Sequence, residues 1–429
     1  MSIRPAALNA LRLSPLLVVY LAFTLVFKSV SGGLGDEPSY LDYANNLWHG
    51  FYAEQDSLDP THWLWHGPGL PALLAPAVGI GLPIEAIRVL SGPIPLFLAV
   101  LVFHRTALMY VSAPMALVAA YALGLYPPVL LLGNVSVEPL TALFAAIGIY
   151  QSIHWLREGE RRRLALGGLA FAGMALCRVE YGWVLTAALL LALALLLSPR
   201  ARPLARRSAA VAGLALLACV PWLVYTATLT DRPFVWGNSG GLSIYWMSSP
   251  PEAARGDWHN VPDVYEDDRL ASHRPYFDEL AKTDPIDRDA ELQSDSLDRI
   301  RDNPGRYLKN VGYNVSRMVL GSPYSFESVR PAPQYALPNL VALAFVAWGL
   351  LLLLRRRVPR PPELWPLCAL ILLGVAIHVP VSAYPRFLHP LMPGIVLFVV
   401  MTVGRVLDER APWDAWARRL PRRAAARPV

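Results

Sequence analysis

The stretch GDEPSYLDYANNLWHG, residues 35–50, sets two adjacent carboxylates, Asp36 and Glu37, just behind a long apolar run. A carboxylate at the mouth of a membrane bundle is suited to take a proton from an attacking hydroxyl as a general base. The plainer account is that one acid caps a short interfacial helix. Pro38 fits the first turn of such a helix, Asp36 or Glu37 its N-cap, and Gly50 its end. Neighbouring helix positions point about 100° apart, however, so one acid can cap while the other faces a cavity. Further along, Arg88, Glu138, Arg178, Glu180, Arg386 and His389 all fall at the ends of apolar runs. Ionisable groups cost about 2.5–3.5 kcal/mol each at the centre of a membrane helix and less near its ends. Gathered at one face with both signs present, they fit a shared polar cavity; the alternative is snorkelling or structural pairing. Lys28, late in the first run, either snorkels to the interface or reaches a phosphate.

These residues need a membrane scaffold to position them. The 429 residues are 55% hydrophobic and only 16% charged, against about a quarter charged in soluble domains. Apolar stretches such as Ser14–Val30, Ser112–Leu132, Ala209–Leu229 and Leu337–Leu354 have the length that crosses about 30 Å of hydrocarbon. In lipid such runs must be helical, because each backbone N–H and C=O needs an internal partner. The predicted class is an all-α polytopic membrane protein. The spans are placed at about 13–31, 87–104, 113–132, 137–156, 164–181, 183–198, 208–229, 336–354, 363–380 and 388–406.

Ten crossings put the basic clusters Arg157 with Arg161–Arg163, Arg200–Arg207, Arg355–Arg360 and the C-terminal tail on the cytoplasmic side. Both termini are then cytoplasmic, and the acids and arginines named above lie on the outer face. The net charge of +6 is accounted for by these topology signals, so nucleic acid is not a partner. The apolar but Pro- and Gly-broken segment Pro68–Pro83 reads as a re-entrant or interfacial helix, since counting it as a crossing would reverse the basic clusters. Cys177, Cys219 and Cys368 lie in or beside apolar runs, which argues against disulfides and zinc. The chain divides into an N-terminal transmembrane module, 1–229, with a first periplasmic loop at 31–67. A large periplasmic loop, 230–335, and a C-terminal part, 336–429, with transmembrane helices and a basic cytoplasmic tail follow. The core of that loop, 231–305, holds sixteen acidic residues against eight basic ones.

An acidic pair after the first span, an aromatic (Tyr40) shortly behind it, and then WLWHGPGLPALLAP resemble the GT-C membrane glycosyltransferases. The resemblance is to the family that includes protein mannosyltransferases and aminoarabinose-lipid A transferases. Further motifs agree in order: AIRVLSG at 86–92, SVEP at 136–139, CRVEYG at 177–182, WGNSGGLSIYWMSSP at 236–250 and PRFLHPLMP at 385–393. The resemblance implies transfer of a sugar from a polyprenyl-phosphate donor, with inversion, to a lipid, glycan or protein acceptor on the periplasmic side of a bacterial inner membrane. It implies Asp36 as general base with Glu37 supporting it or binding acceptor. Arg88, Arg178 and Arg386, and less directly Lys28, become donor-phosphate ligands, because arginine meets phosphate bidentately. Tyr40, Glu138, Glu180 and His389 complete the cavity. Members of the family differ in metal dependence, and the first loop has no DxD motif, so no metal ligands are assigned. The competing reading is a lipid-linked saccharide transporter or polymerase, whose usual signs are inverted repeats and helices broken at the midplane.

Overall fold

The structure, a computed structural model, describes residues 3–26, 35–53, 64–126, 133–327 and 329–410, with side chains from residue 11 onward. Lys28 lies outside these residues. Among the described residues the chain is helical with no strand. Each of the ten segments read as spans overlaps a helix, from Ile3–Leu25 to the final apolar stretch Pro385–Arg410. By length and composition alone, three helices are sufficient to cross a membrane: Ile84–Ala107, Pro333–Leu354 and Pro385–Arg410. A fourth is the pair Arg202–Ala218 and Val220–Thr230, bent by 48°. The bend has a chemical cause, since Pro221 lacks the N–H that would continue the ladder.

The helices Glu138–Glu158, Arg161–Cys177, Glu180–Leu195 and Arg202–Ala218 pack in sequence order, and Leu364–His378 closes against Glu180–Leu195. Their shared core includes Phe103, Phe171, Tyr181, Trp222 and Phe398. By contrast, only 11% of the apolar window in Pro333–Leu354 is buried inside the protein. A helix apolar all round yet so little covered by protein has the length and composition of a membrane span.

The segment around Pro68–Pro83 forms the helix Gly69–Gly79, whose 11 residues rise about 16 Å, short of the hydrocarbon thickness. It packs on Glu37–Trp48 through Tyr40, Leu70, Leu74 and Ala77. The acidic loop folds as a unit around Leu242, Tyr245, Trp246, Val264, Leu270, Phe277, Leu280 and Leu292. Asn260 and Asp263 form a capping box at one helix, while Asp284 and Asn303 cap two others with their side chains. Pro304 starts the helix Pro304–Leu320, which packs against Pro333–Leu354 and the turn Pro385–Leu391. Its polar side chains Asn310, Asn314 and Arg317 are buried, so this helix is held by protein contacts.

Topology is open to direct measurement. Cysteine at Arg162 or Arg356 is expected to stay unlabelled by an impermeant thiol reagent in intact cells with a permeabilised outer membrane. Cysteine at the fully exposed Asp268 should label. Labelling of Arg162→Cys from outside would make Pro68–Pro83 a true crossing.

Candidate active site

Asp36 occupies the N-cap position of the helix Glu37–Trp48, yet its side chain makes no capping bond. Pro38 in the first turn removes one of the donors a cap would satisfy. The carboxylate turns elsewhere: Oδ2 accepts from Arg386 Nη1 at 2.9 Å. Arg386 stands on the short 3-10 turn Pro385–Leu391, which packs on the helix Glu138–Glu158. Its Nε lies 3.7 Å from Oε1 of Glu138.

That same Glu138 oxygen accepts from Arg178 Nη1 at 3.0 Å, and Arg178 Nη2 reaches Glu180 Oε1 at 3.4 Å. Arg178 is placed by a break in the chain. The helix Arg161–Cys177 ends there, Arg178 takes an extended backbone, and a new helix begins at Glu180. Its guanidinium lies 4.2 Å from the centre of the Phe387 ring, and Arg386 lies 5.6 Å from the same ring. Phe387 thus fixes both cations through cation–π contact. Asp36, Glu138, Arg178, Glu180 and Arg386 form one connected array.

Exposure divides this array by task. The side chains of Asp36, Glu180 and Arg386 are 36%, 40% and 38% exposed, whereas Glu138 and Arg178 are 2% and 9%. The inner pair neutralises itself, and the outer groups can meet a ligand. Arg178 Nε has no hydrogen-bond partner, which leaves a buried donor unspent. Burial opposes ionisation of Asp36, but Arg386, His66 and Arg178 together hold its carboxyl below the usual range. It is therefore a carboxylate at neutral pH.

Glu37 and Arg88 form a separate pair. Glu37, buried, accepts from Arg88 Nε at 2.9 Å and from Arg88 Nη2 at 2.5 Å. Its Oε2 also accepts from the Val135 backbone at 2.6 Å. None of these partners is shared with Asp36. The bidentate pair ties the first-loop helix to the helix Ile84–Ser91 and to the turn before Glu138.

Tyr40 is buried with its ring 4.4 Å from that of His66. Sequence reasoning did not single out His66, although WLWHGPG contains it. Its placement depends on two glycines: a Cβ on Gly67 would lie 2.1 Å from the Leu176 carbonyl, and one on Gly69 2.7 Å from Cys177 Sγ. Only glycine permits this approach, which brings His66 beside the Arg178 turn. Burial pushes the imidazole of His66 down, which favours its neutral form. His389 is deep in the bundle, stacked 6.5 Å from Tyr126, with its Nδ1 unpartnered.

The large loop is wired to this turn. Tyr384, two residues before Arg386, donates to Asp257 at 2.6 Å and accepts from the Trp258 backbone at 3.2 Å. Asp257 lies 3.6 Å from the fully buried Arg317, which bonds Pro323, Asn314 and Arg255. Among the described residues, no group of three or more His, Cys, Asp or Glu is placed to hold a metal ion.

No family model matches the sequence, and no curated protein matches it. Among solved structures, the chain is similar to the archaeal oligosaccharyltransferase AglB from Archaeoglobus fulgidus, in complex with an inhibitory peptide and a dolichol-phosphate. The TM-score is 0.52 over 99% of this chain at 13% identity, and the chain spans 53% of that structure, about half its length. Lesser likeness is found to the apo oligosaccharyltransferase of the same organism (TM-score 0.48, 12% identity, 95% of this chain and 51% of that one). ArnT from Cupriavidus metallidurans, bound to undecaprenyl phosphate, has a TM-score of 0.43 at 15% identity over 93% of this chain and 77% of its own. The chain has a GT-C-like fold.

Proposed function

We propose that the protein is a membrane glycosyltransferase that moves a sugar from a polyprenyl-phosphate donor to a hydroxyl of a lipid, glycan or protein acceptor. The site is assigned to the periplasmic face of a bacterial inner membrane. The observation that carries this reading is the Asp36–Arg386 pair: a part-exposed carboxylate and a part-exposed guanidinium, backed by buried Glu138 and Arg178. A base and an anion site lie in direct contact on a GT-C-like fold. The archaeal enzyme with that fold is in complex with a dolichol-phosphate.

In the reaction, the acceptor oxygen forms a bond to the anomeric carbon from the face opposite the phosphate. The bond from that carbon to the phosphate oxygen breaks, and polyprenyl phosphate leaves with the electron pair. Asp36 takes the acceptor proton. Without donor, Asp36 is a poor base because Arg386 stabilises its charged form. A donor phosphate that engages Arg386 competes for that guanidinium and raises the basicity of Asp36. Arg178, paired with buried Glu138, adds its positive charge to the same phosphate site from behind. Tyr40 and His66 line the Asp36 side, while Glu180 faces the open end. Glu37 and Arg88 brace the first-loop helix.

Membranes containing the protein, given a radiolabelled polyprenyl-phosphate sugar, are expected to transfer label to an acceptor, and Asp36→Asn membranes are not. Transfer unaffected by Asp36→Asn would sink the assignment. Arg386→Ala should lower kcat/KM for donor by roughly 10- to 100-fold, the worth of a charge-assisted contact. Exposed Arg330 is the matched control, and equal losses from Arg330→Ala would remove Arg386 from the site.

A further inference from the structure

The large loop grips both sides of the Asp36–Arg386 site. On the Asp36 side, the Leu64 N–H donates to Asn238 Oδ1 at 2.9 Å and the Asn238 N–H donates back to the Leu64 carbonyl at 3.3 Å, two residues before His66. On the Arg386 side the loop holds Tyr384. The Tyr384 hydroxyl donates to Asp257 Oδ1 and accepts from the Trp258 N–H. Asp257 is buried and held by other groups as well: Oδ2 accepts from the Ser325 N–H at 2.8 Å, and Oδ1 from the Trp258 N–H at 3.1 Å. Arg317 backs this contact, its guanidinium 5.6 Å from the centre of the Tyr384 ring. The same ring stacks on Tyr324 at 6.1 Å and meets Phe387 edge-on at 5.6 Å. Tyr384 occupies the N-cap position of the turn Pro385–Leu391 without a side-chain capping bond, so its hydroxyl serves the loop.

We propose that Tyr384 is a positioning residue for the anion site, held in place by Asp257 of the large loop. The proposal rests on the reading of Arg386 as the donor-phosphate ligand. Arg386 is part-exposed, and a long side chain ordered only on binding subtracts its lost freedom from affinity. Tyr384 fixes the backbone two residues before Arg386, and Phe387, one residue after it, lies against the guanidinium. A folded loop is thereby a condition for a preorganised phosphate site. By reciprocity, phosphate on Arg386 stabilises the contact of Tyr384 with Asp257 and Trp258 by the same factor.

The full-length protein in detergent is titrated with undecaprenyl phosphate, and binding is read by native mass spectrometry. Tyr384→Phe keeps the ring and leaves Asp257 its bonds to Ser325 and Trp258, so the variant should fold. It is expected to weaken binding by roughly 10-fold, the worth of one hydrogen bond to a charged group. Tyr265→Phe removes a like bond, from exposed Tyr265 to Asp278, and should bind as the wild type does. Tyr384→Phe added to Arg386→Ala should cost nothing further, because both act on one contact. In transfer assays the loss should fall in KM for donor with kcat little changed, since saturating phosphate itself holds Arg386. Should Tyr384→Phe fail to fold, the wild-type protein decides: undecaprenyl phosphate should slow hydrogen exchange at the Trp258 amide. Wild-type affinity in Tyr384→Phe, an equal loss in Tyr265→Phe, additive losses with Arg386→Ala, a loss carried by kcat alone or unchanged exchange at Trp258 overturns the positioning role and leaves Arg386 in the site. Failure of the wild-type protein to bind undecaprenyl phosphate overturns the reading of Arg386 itself, and the positioning role with it.

Discussion

Asp36→Asn is expected to leave the protein folded and abundant while sugar transfer falls by about 10²–10⁴-fold, the usual worth of a positioned general base. Two structural facts separate this outcome from a folding defect. The Asp36 side chain makes no capping bond, so the helix Glu37–Trp48 loses nothing when its charge is removed. Asparagine also equals aspartate as an N-cap, so a cap formed during turnover would survive the change. Asn keeps the shape of the side chain and can still meet Arg386, but it cannot accept the acceptor's proton. The pH profile gives a second readout. Although burial raises its pKa, Arg386 and its neighbours prevail and hold the Asp36 carboxyl below the usual range. Without donor the carboxylate therefore persists above the ordinary aspartate range and is lost only as pH falls through the depressed value. When donor is bound, phosphate competes for Arg386 and that acid limb should move upward in kcat relative to kcat/KM. Coincident limbs would argue that Arg386 does not change partner.

Glu37 is expected to give the opposite phenotype one residue away. Glu37→Met leaves Arg88, 12% exposed, without its bidentate partner and the Val135 N–H without an acceptor. Removing one member of a buried pair typically costs about 3–5 kcal/mol, because the remaining charge is uncompensated. The variant should therefore unfold at a distinctly lower temperature and accumulate poorly. What protein remains should retain kcat within a few fold, since Glu37 shares no partner with Asp36. Combining Glu37→Met with Arg88→Met should recover much of the loss, as apolar replacements of a buried pair are often nearly neutral. A Glu37→Met protein of normal stability that had lost transfer would instead put Glu37 in the chemistry and exchange the roles of the two acids.

The sequence by itself determined the class of fold, because hydrocarbon leaves a backbone no partner outside its own helix. Runs such as Leu337–Leu354 had to be helical wherever they packed. It also placed the outer charges near helix ends, since membrane cost discourages them elsewhere, and the order of GDEPSY, SVEP, CRVEYG and PRFLHP carried the resemblance. What it left open was which charge meets which. Asp36 and Arg386 are 350 residues apart, and local rules offered Asp36 or Glu37 as a helix cap, a role the Asp36 side chain does not take. The partition of four groups into Asp36 with Arg386 and Glu37 with Arg88 follows from a rotation of about 100° between neighbouring helix positions. That rotation acquires meaning only once the helix is docked. His66 became part of the site through the same docking, because two glycines let its loop press onto the Arg178 turn. Spacing along the chain fixes which groups are available at one end of the bundle. Packing decides which of them pair inside protein and which stay open, because desolvation penalises each buried charge until a partner across the bundle compensates it.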